Sequence, residues 1–190
     1  MKLFLILLII LGFLIAAGAV LVWSGSYNVA ANVPHWKITH WFLGIVRDRS
    51  IFTHSKGIIV PSLKDPKLLD IGFKNYHAMC RVCHGTPGSS PNEIAKGLNP
   101  SPPDFTSKSI EMRNDAELYW VIKNGIKMTG MPSFGPTHSE DQLWGMVTFL
   151  RRLPKLKPDE YNAIIKASGV SDSMIHHEHR KWENWQVPFH

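Results

Sequence analysis

Five consecutive residues, Cys80-Arg81-Val82-Cys83-His84, hold both cysteines of this 190-residue chain. C-x-x-C-H is the spacing of covalent haem attachment: two thiols add across the porphyrin vinyl groups and the adjoining histidine ligates the iron. One helical turn sets both sulfurs on one edge of the macrocycle and brings the imidazole under the metal. A chain with this motif must fold around a flat apolar cofactor. No cysteine is left for a disulfide, so the fold rests on its core and that cofactor. Two other readings of the spacing are weaker. A thioredoxin-like dithiol needs a strand–turn–helix setting, whereas residues 66–79 have a helical pattern and no βαβ alternation occurs. Structural zinc usually brings a second ligand pair at similar spacing, and none stands out.

The N-terminus limits where the haem can be. Residues 3–23, LFLILLIILGFLIAAGAVLVW, are apolar and uncharged, long enough to span about 30 Å of hydrocarbon. Lys2 precedes the run and Trp23 closes it as an interfacial anchor, which points the N-terminus to the cytoplasm. A cleaved signal is the rival reading, because Ala17-Gly18-Ala19 fits a small-residue cleavage site. The run continues through Trp23, however, and is long for a signal's apolar region, so a retained anchor is expected. Either way the functional domain lies outside the cytoplasm, where c-type haem is attached. The formal charge of +6 comes from scattered basic residues, and with that location it excludes nucleic acid as a partner. The lysines read either as a solvated surface or as a collar steering an acidic partner.

Four segments follow: an anchor (1–26), an amphipathic juxtamembrane connector (27–61), a haem domain (62–156) and a C-terminal extension (157–190). In the connector, Pro34 suits a helix start. Trp36, Ile38, Trp41, Phe42, Ile45 and Val46 then recur at helical spacing opposite Lys37, Arg47, Asp48 and Arg49. This apolar face can meet the membrane surface, a partner subunit or the chain's own haem domain. Within the haem domain, a first helix is expected from Asp65 or Pro66 to Cys83, followed by a loop from Gly88 to Phe105. A second helix spans Asp115 to Asn124, capped by Asn114 and Glu117 and ended by Gly125. A third begins at Ser139 in a Ser-x-x-Gln capping box and stops at Pro154. No strand pattern is visible.

Cys80-Arg-Val-Cys-His84 after Gly72-x-x-x-Tyr76-x-x-x-Cys80, followed by Thr129-Gly-Met131-Pro-Ser-Phe-Gly135 and an aromatic last helix, resembles class I c-type cytochromes. The likeness is to the small single-haem domains found as membrane-anchored cytochromes and as subunits of respiratory oxidases and dehydrogenases. It implies an all-α, cytochrome c-like helical domain around one covalent haem c, here preceded by one N-terminal transmembrane helix. Gly72 would let the first and last helices of the domain meet closely, with Phe149 or Trp144 packed over it. Cys80, Cys83 and His84 would bind the haem, and Met131 would be the sixth iron ligand, Met128 being its main competitor. Met112 and Met146 fit helix-flank or core packing. His84 should donate its other nitrogen to a carbonyl from the Pro100–Pro103 loop or the Gly85–Pro91 turn. Tyr76 and Trp120 are either haem contacts or core aromatics. His77 is expected to face solvent, and His138 to make local hydrogen bonds. The tail residues His176, His177, His179 and His190 read as a weak metal cluster, or with Trp182, Trp185, Val187 and Phe189 as a docking segment.

The resemblance implies an electron carrier rather than an enzyme. It would be a membrane-anchored monohaem cytochrome passing single electrons between respiratory redox partners, alone or as a subunit of a larger complex. The connector and the aromatic tail favour a subunit. The expected partners are membrane redox complexes and the lipid bilayer. The expected location is the bacterial cytoplasmic membrane, single-pass, with the haem domain in the periplasm. The alternative is a haem enzyme or gas sensor with an open sixth position. Against it, no distal acid–base pair and no signalling segment is evident in the sequence.

Overall fold

The computed structural model describes residues 1–106 and 108–170, which form two compact units divided after His35. The first unit carries helix α1 (Lys2–Ser24), whose side chains are all exposed and which ends at Gly25 in the left-handed conformation. At 23 residues, α1 is long and apolar enough to cross a membrane.

The second unit begins with α2 (Lys37–His54). Trp36 is its N-cap, so the helix starts later than Pro34 suggests. One face turns inward, burying Ile51 and the following Ser55. It packs on helix α6 (Asp115–Asn124), where His54 lies against Trp120 with ring centroids 5.7 Å apart. The connector helix thus packs on the helical domain that follows, while Ile38, Trp41, Phe42 and Ile45 stay exposed on its other side.

Helix α3 (Pro66–Asn75) starts with proline at its first position and the Asp65 side chain accepting from the Lys67 N–H. The expected single helix through Cys83 is interrupted. A π-turn at Tyr76–Cys80 widens it before α4 (Arg81–His84), which stops at Gly85 with φ 73°. Such widened turns concentrate at functional sites. The expected loop holds a short helix α5 (Glu93–Lys96), capped by Asn92. A 3₁₀ turn (Lys108–Met112) leads into α6, and α7 (Glu140–Arg152) follows; both carry their expected capping boxes. After a second 3₁₀ turn (Leu153–Lys155) comes α8 (Pro158–Ser168). The fold is all-α: among the described residues there is no strand, only an isolated bridge between Thr86 and Ser89.

The centre of the domain is the crossing of α3 on α7. A Cβ on Gly72 would lie 1.9 Å from the Gly145 carbonyl oxygen and 3.0 Å from Phe149 Cβ, so the two backbones touch. Phe73, Tyr76, Leu143, Met146, Val147 and Phe149 form the core around this contact. Phe149, rather than Trp144, lies over Gly72; Trp144 stacks on Tyr119 instead, with centroids 4.2 Å apart.

One expectation is corrected here. His77 does not face solvent: it is 3% exposed, stacks on Phe73 and places Nδ1 3.0 Å from the Tyr161 hydroxyl. Tyr161 belongs to α8, which folds back over the π-turn. The two residues are 84 positions apart, so no local pattern could report the burial.

Candidate haem site

A cavity of about 720 Å³ opens between the Cys-x-x-Cys-His segment and the α6–α7 pair, within the range of cofactor sites. Cys80, Cys83 and His84 line one side of it, and Ile110, Leu118, Val121, Ile122 and Leu150 supply apolar wall. Tyr76 also lines it and donates its hydroxyl to the Gly85 carbonyl at 2.7 Å; burial pushes its pKa upward. Trp120 is not among the lining residues, because it is engaged with His54.

His84 is buried and held in one orientation. Its Nδ1 lies 2.8 Å from the Pro103 carbonyl oxygen, and its ring stacks on Phe105 with centroids 4.0 Å apart and planes 10° apart. The carbonyl therefore comes from the Pro100–Pro103 loop, not the Gly85–Pro91 turn. Carbonyl pairing assigns the proton to Nδ1 and leaves Nε2 as the basic nitrogen. Burial lowers the His84 pKa, partly opposed by that carbonyl and by Asp104, so the ring favours the neutral form a metal needs. Burial and the neighbouring Cys83 push the Cys80 thiol up to about 12.

The Ile126–Gly135 loop brings Met131 to the same cavity. It is pinned to the carboxyl end of α6: Ile126 N–H donates to the Met131 carbonyl at 3.1 Å, Phe134 N–H to Ile122 at 3.1 Å and Gly135 N–H to Lys123 at 2.9 Å. Thr129 Oγ1 accepts from Met131 N–H at 3.1 Å and donates to the Ile126 carbonyl at 2.8 Å. Gly125, at φ 68°, permits the fold-back, since a Cβ there would lie 2.8 Å from the Met131 oxygen.

Residues 67–150 match the family model described as cytochrome c oxidase, cbb3-type, subunit III. This segment is a class I c-type cytochrome domain. No curated protein matches the chain. A c-type cytochrome domain binds haem c and transfers electrons, and the cavity fits that group in size, in its apolar wall and in its donors. Two thiols, an imidazole and the Met131 thioether all line it.

The cytochrome domain also places the rival methionines. Met128 is 89% exposed, with φ 58°, and is not among the lining residues. Met146 and Met112 also line the cavity, Met146 buried in α7 and Met112 largely exposed. Met79 also lines the cavity, from the π-turn that precedes Cys80. Sequence reading missed that four acidic and basic residues, Arg47, Asp48, Arg113 and Glu117, line the cavity. Only the Arg47–Asp48 pair on a polar helix face carried any signal. The histidines and aromatics of the tail lie outside the described residues.

Proposed function

We propose that the chain is a membrane-anchored monohaem electron carrier in which His84 and Met131 ligate the iron and Cys80 and Cys83 form the thioether links. The observation that carries this reading is the convergence of all four side chains on one cavity. Bound haem supplies a one-electron ferric/ferrous couple. The chain's residues set how that couple behaves. The Pro103 carbonyl fixes the His84 tautomer. The Thr129 and Ile126 hydrogen bonds hold the Met131 loop in place whatever the iron's charge. Rigid ligands keep reorganisation small, and Met/His ligation raises the reduction potential of cytochromes. Apolar walls from α6 and α7 exclude water and substrate, which suits transfer rather than catalysis.

The α1 helix is read as a retained single span that keeps the haem domain at the periplasmic face of a bacterial cytoplasmic membrane. Tethering there raises the effective concentration near membrane redox complexes of a respiratory chain. Segment limits of 1–26, 27–61, 62–156 and 157–190 go with this reading, α2 and α8 being packed on the haem domain.

The test is spectroscopic. Oxidised protein should show the weak long-wavelength band of a methionine–ferric bond, and reduced protein should resist carbon monoxide. Met131→Ala should abolish the band and admit carbon monoxide, while Met128→Ala changes neither. Rapid carbon monoxide binding by the parent, with the band absent, refutes the carrier reading in favour of an open catalytic or sensing site.

A further inference from the structure

Helix α2 lies outside residues 67–150, which match the cytochrome family, yet its Arg47 and Asp48 line the haem cavity beside Arg113. Asp48 joins the two guanidiniums: its Oδ1 lies 2.8 Å from Arg47 Nε and 2.6 Å from Arg113 Nη2. Arg113 is itself held from behind. Arg151 of α7 donates to the Ile110 carbonyl at 2.8 Å, to the Arg113 carbonyl and to Asp115 at 2.7 Å, fixing the segment that carries Arg113. Glu117 is committed to the α6 capping box through the Asn114 N–H.

The rim formed by these residues is the charged end of a mostly apolar cavity, where two guanidiniums stand with the Asp48 and Glu117 carboxylates. Haem has the complementary shape: an apolar plane with two carboxylates on one edge. Against an apolar wall those carboxylates would be costly, and among the described lining residues Arg47 and Arg113 are the arginines and no lysine lines the cavity. Each guanidinium carries five N–H donors, and Asp48 occupies few of them, so both forks keep donors for a second carboxylate.

Resting on the haem reading above, we propose that α2 is part of the haem site: Arg47 with Arg113 receives the haem carboxylates, and Asp48 aligns the two guanidiniums. These residues then tune the redox couple by their charge. A cation beside the haem disfavours the ferric state and an anion favours it. At a separation on the order of 10 Å and an effective dielectric of roughly 20–40, one unit charge changes the ferrous-to-ferric ratio about 4- to 16-fold.

The experiment is redox titration of the purified full-length protein and its variants, with resonance Raman spectra of the haem carboxylate modes. Arg47→Gln and Arg113→Gln should each lower the midpoint potential and alter the carboxylate modes. Asp48→Asn should raise the potential, and Arg47→Lys should stay near the parent. Arg49→Gln, on an exposed position of the same helix, should change nothing. The sign reversal at Asp48 separates charge tuning from loosening, which would wet the haem and lower the potential in every variant. Shifts in one common direction, or none in a protein with intact haem and an intact methionine band, overturn the role of α2 and leave the carrier reading standing. A preparation without covalent haem overturns both.

Discussion

Replacing Gly72 by alanine tests the packing on which the haem site depends. The added Cβ would stand 1.9 Å from the Gly145 carbonyl oxygen and 2.4 Å from its carbon, against an ordinary contact of at least 3.4 Å. Both obstacles are backbone, so no rotamer change relieves them. Helices α3 and α7 must open by about 1.5 Å or slide, and a radial gap of even about 0.5–1 Å forfeits a quarter to a half of each dispersion contact. That gap would run along the face where Phe73 and Tyr76 meet Phe149. The cost therefore falls at the upper end of overpacking, about 3 kcal/mol or more. At roughly 4 °C per kcal/mol for a domain of this size, Tm should fall by at least about 10 °C. The assay is a thermal melt of the holoprotein followed by far-UV circular dichroism and the haem absorption; covalent attachment keeps the cofactor on the chain throughout. Gly44→Ala in α2 is the control, because a Cβ added there would meet nothing within 4 Å. It should stabilise slightly, by about 0.5–1 kcal/mol, through helix propensity. A Gly72→Ala protein melting within about 3 °C of the parent would refute the backbone contact between α3 and α7.

Arg151→Ala should cost about 2–3 kcal/mol in denaturant unfolding, since it strands two carbonyls and Asp115 beside the haem cavity. Arg151→Lys should recover only part of this, because a single ammonium cannot span all three acceptors; full recovery would contradict the assignment. Glu140 ties α7 to α6 through Lys123 at 2.7 Å and the Tyr119 hydroxyl. Lys123 first and Tyr119 second hold the Glu140 carboxyl below its ordinary value. Its stabilisation is complete above the unfolded glutamate value of about 4.3 and is lost as pH falls through the lower folded value. For so exposed a group the effect is a few tenths of a kcal/mol. The stability gap between parent and Glu140→Gln should therefore be present at neutral pH and close in acid. A gap that persists in strong acid would contradict the linkage.

The haem address, the helical class and the three main helices of the cytochrome domain were legible in the sequence because each is written locally. Cys80 and His84 are one turn apart, and Asn114 with Glu117 or Ser139 with Gln142 are three residues apart. The Gly125–Gly135 loop was also legible, since its hydrogen bonds return to the helix it has just left. Gly72 stood out as a site of close approach, but only the fold names Gly145 as the backbone it touches. His77 misled because its burial comes from α8, and Trp120 stayed open between two roles because its ring partner is on α2. Arg47, Asp48 and Arg113 converge across 65 residues of chain, a separation at which sequence pattern carries no register.

By itself, then, the sequence determined that this chain carries an apolar N-terminal span and a covalent haem motif in a helical domain. Local spacing and apolar periodicity suffice for those features. Which carbonyl orients His84, which methionines line its cavity and which charges stand there were decided only by the tertiary structure. Those are questions of distance between elements far apart in the chain, and packing alone sets that distance.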